Sequence, residues 1–209
     1  LDLKLNDSDF EEGIGLKAHW PTAEGYWGGD HCEVVSSFDD VLPAKGSNML
    51  RFVKPHLKGE SKVNHNNSEL WQILDLRDLD SQLSLGGMTA RLNAKFNQVS
   101  KGRGDVKFNV SLIAFNGNMK DAKNYWDTKN HPLSELLSES HSKFYPDSNS
   151  ETWQSIGCKL NIPRGTDFVL VLLSAQLTSG AGELMGHFVD DVSVSFDSEP
   201  RKSFSTVKW

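Results

Sequence analysis

The stretch Met88-Thr89-Ala90-Arg91-Leu92-Asn93-Ala94-Lys95-Phe96-Asn97 alternates apolar and polar residues almost without a break. Met88, Ala90, Leu92, Ala94 and Phe96 fall on one side. Thr89, Arg91, Asn93, Lys95 and Asn97 fall on the other, the period-two pattern of an antiparallel strand with one packed face. Val106, Phe108, Val110, Leu112 and Ala114 repeat the pattern against Lys107, Asn109 and Ser111. Working outward, Leu70, Leu74 and Leu76 line up opposite Trp71, Ile73, Asp75 and Arg77. The run 167–177 is apolar on both faces, and 187–196 alternates again. Turn-forming stretches at 43–47, 59–67, 86–87, 101–104, 163–165 and 178–182 separate these runs. Strands at this spacing predict an all-β sandwich. The polar stretch 116–150 reads as one long connection containing a short helix over 133–140. The single domain is expected to span 1–199, with a polar C-terminal tail over 200–209.

With 209 residues, 37% of them hydrophobic, the chain can bury one sizeable core. Its net charge of −6 and scattered Lys and Arg argue against nucleic acid and anionic membrane as partners. No apolar run is long enough for membrane insertion as a helix. The chain starts at Leu1 rather than Met, and the expectation is part of a larger multidomain protein, exported to an extracellular or periplasmic location. Cys32 and Cys158 lie far apart and belong to no CxxC site; one disulfide and two buried thiols are both open readings.

Short catalytic motifs are absent: no GxSxG, GxxxxGK[ST], HExxH or GxGxxG occurs. A glycosidase needs two carboxyls facing each other across a cleft. The adjacent pairs Glu11-Glu12, Asp39-Asp40 and Asp190-Asp191 would point opposite ways on a strand. The expectation is therefore a protein that is not an enzyme, unless distant residues assemble an active pair in a sandwich-fold glycosidase or lyase. Arg103-Gly104-Asp105 reads as a hairpin turn, and Asn6, Asn66 and Asn109 open N-x-S sequons.

The two ends carry the most unusual chemistry. Phe188, Val192, Val194 and Phe196 share parity with Asp190, and a carboxylate on an apolar face needs a cation or several donors. Asp9-Phe10-Glu11 offers two more carboxylates on one side. Such hard oxygens suit calcium better than zinc; otherwise Asp190 caps a turn or pairs with Lys or Arg. The opening Asp-Ser-Asp-Phe-Glu-Glu-Gly (residues 7–13) with Trp20, and the closing Gly-His-Phe-Val-Asp-Asp-Val-Ser-Val (residues 186–194), resemble the start and final strand of carbohydrate-binding modules with the galactose-binding-domain-like β-sandwich jelly roll. Residues 46–51 and 70–76 are similar to two inner segments of those modules. Asn48-Met49-Leu50-Arg51-Phe52 also resembles, more weakly, the outer domains of FecR-like envelope signalling proteins. The first resemblance implies a structural calcium held by Glu11 and Asp190, with Asp9 and the backbone near Ser47 as further ligands.

A glycan surface needs an aromatic face and planar polar groups. Trp71 and Arg77 on one strand, with Arg91 and Asn93 on the next, are the candidate ligand-binding residues, with Asn109 and Ser111 nearby. The opposing reading packs Trp71 beneath a long connection. Trp20, Tyr26 and Trp27 form a second aromatic group, with Trp20 matching a core position of the resembling modules. The function expected is that of a non-catalytic carbohydrate-binding or cell-surface-binding module of an exported protein, with a glycan or polysaccharide as partner. The alternative is a protein-interaction or sensory ectodomain without sugar affinity.

Overall fold

The computed structural model describes residues 3–13, 16–54, 66–79, 81, 83, 87–100, 106–119, 136–147, 149, 151–179 and 184–198. Within them the chain forms β1 (Gly28–Gly29), β2 (His31–Val35), β3 (Met49–Lys54), β4 (Asn67–Asp75), β5 (Met88–Gln98), β6 (Val106–Phe115), β7 (Leu136–Phe144), β8 (Gln154–Ile162), β9 (Phe168–Leu177) and β10 (His187–Ser198). They make two five-stranded antiparallel sheets. The first runs β1-β4-β9-β6-β7 and the second β2-β3-β10-β5-β8. This is the jelly-roll β-sandwich that the alternating runs predict.

The alternation sets which side chains meet between the sheets. Leu92, Ala94 and Phe96 of β5 and Val189 of β10 face Phe108, Val110 and Leu112 of β6 and Val171 and Leu173 of β9 in one continuous core. The apolar run of β9 is explained by its other face. Phe168 and Leu170 join Trp71, Ile73, Ile113 and Phe115 in a second cluster on the outside of the first sheet, covered by Trp20. The outside of the second sheet carries a third cluster, Val41, Met49, Val99 and Phe188, with Trp153 against it.

The helix expected over 133–140 is not what forms where the chain is described. Leu136–Phe144 is strand β7, paired with β6 along the edge of the first sheet. Ser138, Ser140 and Ser142 stand opposite inward-facing Ala114, Leu112 and Val110, while Glu139, His141 and Lys143 face out and are exposed. Small inner residues let the edge strand settle on its neighbour, and that pairing overrides the weak helical preference of the segment. The Arg103-Gly104-Asp105 turn and the 200–209 tail lie outside the described residues.

Cys32 sits on β2 and Cys158 on β8, at opposite edges of the second sheet. Four strand spacings separate them by about 19 Å, far beyond the roughly 7 Å a disulfide spans. Both are buried free thiols. Burial pushes the Cys158 thiol up to about 11 and the Cys32 thiol higher still, so neither is a thiolate at neutral pH.

Candidate functional site

The N-terminal segment closes one side of the sandwich. Leu5 and Phe10 enter the main core. Gln72 of β4, itself buried, accepts a hydrogen bond from the Asn6 N–H at 2.8 Å and donates to the Asn6 carbonyl at 3.0 Å, imitating a strand neighbour. The Trp27 indole N–H donates to the Asp7 carbonyl at 3.1 Å, and the Val192 N–H to the Ser8 carbonyl at 3.0 Å. Residues 3–11 therefore bridge the two sheets.

Of the four residues expected around a cation, Glu11, Asp190 and Asp9 each contact the 44–48 loop that contains Ser47, but at separate points of it. Glu11 Oε1 accepts from the N–H groups of Ser47 (2.6 Å) and Asn48 (2.7 Å). Asp190 Oδ2 accepts from the N–H groups of Ala44 (2.8 Å) and Lys45 (3.0 Å), and its Oδ1 from Asp191 (2.6 Å). Gly46 lies so tightly over Glu11, with φ of 66°, that a Cβ there would collide with the carboxylate. Lys45 reaches across the loop with its ammonium 3.9 Å from Asp9 Oδ2 and 3.6 Å from Asp191 Oδ1. The turn-capping alternative for Asp190 is thus realised.

Asp190 is fully buried, as its setting in an apolar run requires, but it does not share a face with Val192, Val194 and Phe196 as simple alternation predicts. The register of β10 shifts between Asp190 and Ser193, with Asp191 at φ 47°. This bulge puts Val192, Val194 and Phe196 on the inner face and leaves Asp190 with Phe188 on the other, beneath the 38–45 loop. Burial pushes the Asp190 carboxyl above its ordinary value, with backbone N–H groups opposing and the Asp191 charge adding to the push. Asp191 moves the other way, held down chiefly by its hydrogen bond to Lys95, whose ammonium is 2.9 Å away.

Asp9, Glu11 and Asp190 carry carboxylates, the donor type a hard cation takes, with Glu11 Oε1 and both Asp190 oxygens accepting main-chain N–H groups in this structure. Among the described residues no group of three acids, histidines or cysteines gathers, so main-chain oxygens would have to complete any coordination shell.

The expected ligand surface does not form as a unit. Trp71 and Arg77 belong to the first sheet and its exit, whereas Arg91 and Asn93 lie on β5 in the second, on the opposite outside face. Trp71 is only 1% exposed, with the Trp20 ring edge-on to it at 5.3 Å. It is packing beneath a loop, and the covering loop comes from the N-terminal side. Arg77 clamps Asp75 at 2.5–3.0 Å and lies over the Phe168 ring. Arg91 pairs with Asp197 at 2.8 Å, and Asn93 packs over Gly157. Of the loop aromatics, Trp20 and Trp27 are buried, while Tyr26 is half-buried between Lys17 and His19.

Registering the strands of the first sheet shows what sequence reasoning missed. On its outer face Glu69, Ser174, Asn109 and Lys143 stand in one row across β4, β9, β6 and β7. Asn67, Gln176 and Lys107 form the row beside it, and His141 and Glu139 continue along β7. Asn109 donates to Ser174 Oγ at 3.0 Å. Lys143, His141 and Glu139 are exposed, and Asn67, Glu69, Lys107, Asn109 and Gln176 are half-buried. The face is thus polar at one end and apolar, under Trp20, at the other. Asn109 and Ser111 were legible as outward residues; β7 was not, because it read as helix.

No protein-family model matches the chain, and no curated protein matches it in sequence. Solved structures share its fold. A cyclase from Fischerella sp. without ligand aligns at 12% identity over 95% of this chain and 97% of its own, with a TM-score of 0.54. A cyclase from Fischerella sp. TAU, in complex with 4-(1H-indol-3-yl)butan-2-one, aligns at 12% identity over 94% and 98%, with a TM-score of 0.53. The CBM22-1 xylan-binding domain of Paenibacillus barcinonensis Xyn10C aligns at 8% identity over 89% and 100%, with a TM-score of 0.46. The fold is a β-sandwich jelly roll, an architecture it shares with the Fischerella cyclases. The cyclases correct the expectation that the chain is not an enzyme: the same architecture carries catalysis. Missing short motifs had no power to exclude it, because a sandwich assembles its sites from strands distant in sequence.

Proposed function

We propose that this chain binds a carbohydrate across the outer face of the β1-β4-β9-β6-β7 sheet, as part of a larger exported protein. The observation that carries the reading is the polar row Glu69, Ser174, Asn109 and Lys143, four strands wide. Ser174 is buried and accepts from Asn109, so the groups the row offers a saccharide are the Glu69 carboxylate, the Asn109 amide and the Lys143 ammonium, on strands about 4.8 Å apart where neighbouring. A glycan array with the intact protein tests it. Binding to at least one oligosaccharide class is the expected result, and no binding across a broad array would overturn it.

A second reading rests on the other end of the same face. Trp71, Ile73, Ile113, Phe115, Phe168 and Leu170 form an apolar floor covered by Trp20, and a flat hydrophobic ring would reach it only by displacing that indole. In that reading the chain is an enzyme acting on an apolar ring compound. Quenching of tryptophan fluorescence by an indole ketone, with a blank glycan array, would favour it.

The proposal includes a structural calcium, held by the Glu11 and Asp190 carboxylates with Asp9 and main-chain oxygens near Ser47. The ion would offset the charge of a buried acid and tie both ends of the chain to one loop. Its test is thermal melting with EGTA and with excess calcium. Chelation is expected to lower the midpoint by about 5–10 °C, the shift for an ion saturating at roughly a hundred times its Kd. An unchanged midpoint removes the ion from the account.

A further inference from the structure

His187 opens β10 with its ring turned inward, 1% exposed, and neither ring nitrogen has a hydrogen-bond partner. Its strand neighbours are Phe52 of β3 and Gln98 of β5, which share its inward side. From the other sheet the Phe108 ring meets it edge-on at 6.0 Å, within a cluster that includes Phe52, Phe96 and Phe144. Gln98 cannot serve as counter-charge; its Nε2 donates to the Asp147 carbonyl at 2.8 Å and its Oε1 is itself without a partner.

Among the described residues, the groups around it offer an imidazolium no counter-charge. On β3 the inward titratable side chain is Lys54, a cation, and on β2 it is the Cys32 thiol beside Phe52. From the opposite sheet, β4 presents Ser68, β6 presents Val106 and Phe108, and β9 presents Ala175 and Leu177. Glu69 and Lys107 lie on the outer face, and the Asp30 carboxylate at the β1–β2 corner accepts from the Glu69 N–H at 2.8 Å. No strand of the described residues turns a carboxylate inward here.

We propose that His187 is an acid-operated latch: neutral, it lets β10 close against β3, β5 and the Phe108 cluster, and charged, it forces that end of the sandwich open. Burial alone holds the ring down at about 4. The folded value is depressed below the unfolded 6.5, so the cost is absent above pH 6.5 and grows as pH falls toward 4. Between pH 7 and pH 5 the folding equilibrium should fall about 20-fold through this residue.

Urea unfolding of the intact protein at pH 7, 6 and 5 tests this, comparing wild type with His187→Phe and His187→Gln. The expected result is a pH dependence about 20-fold smaller in both variants than in wild type. Should one variant fail to fold, the C–H resonances of His187 in the wild-type protein give the same answer directly. A ring titrating near 6.5 in the folded state, or variants as acid-sensitive as wild type, would overturn the proposal.

Discussion

Asp190→Ala is expected to destabilise the protein by about 3 kcal/mol, lowering the thermal midpoint by about 10 °C. The carboxylate accepts from three N–H groups, those of Ala44, Lys45 and Asp191, and is itself fully buried. Truncation strands those donors, and each stranded buried donor costs about 1–3 kcal/mol, less where water reaches it. Lys45 is exposed, which places the expected loss toward the lower end. Asp190→Asn keeps an acceptor oxygen and should cost about half as much. Asp191→Ala is the control. Its carboxylate makes solvent-accessible ion pairs with Lys45 and Lys95, so its loss should stay below about 1 kcal/mol. Chemical denaturation of the three variants checks the order; equal losses at 190 and 191 would contradict this placement of the buried acid.

Trp20→Ala is expected to cost about 3 kcal/mol. The Trp20 ring is 6% exposed and roofs the apolar end of the first sheet's outer face, edge-on to Trp71. Removing it lays bare Trp71, Ile73, Phe168 and Leu170 together, and the other large aromatics of the 17–27 loop are engaged elsewhere, Trp27 in the main core and Tyr26 against Lys17 and His19. The variant should also show Trp71 newly accessible to acrylamide quenching. A variant with wild-type stability and unaltered quenching would mean that another part of the chain forms the roof. Binding to the polar row of the same face should survive, because Glu69, Asn109 and Lys143 lie at the other end of the strands.

The sandwich was legible because β5, β6 and β10 each keep one apolar side over many residues, and burial of one face leaves strict alternation as its trace. What alternation cannot record is which strands become neighbours. Arg91 and Asn93 follow Trp71 and Arg77 closely in the chain, yet a crossover sends them to opposite sheets. Local backbone geometry is equally hidden: the bulge at Asp191 reverses the parity that assigned Asp190 to the inner face. The need for a partner at Asp190 was readable from its apolar surroundings; that five loop and strand N–H groups answer Glu11 and Asp190 was not. Strand β7 hid behind serines, which pack well at an edge but carry no hydrophobic period. Trp71 shows the same limit, since outward parity does not mean exposure when a loop returns over the sheet.

Placement of the ligand face on the outside of the first sheet is tested by binding isotherms with an array-identified oligosaccharide. Two double variants are compared with wild type: Asn109→Ala with Lys143→Ala on the first sheet, and Arg91→Ala with Asn93→Ala on the second. The first pair should raise Kd at least tenfold, about 1.4 kcal/mol, and the second should leave it unchanged. Loss of binding confined to the Arg91 and Asn93 pair would contradict that placement.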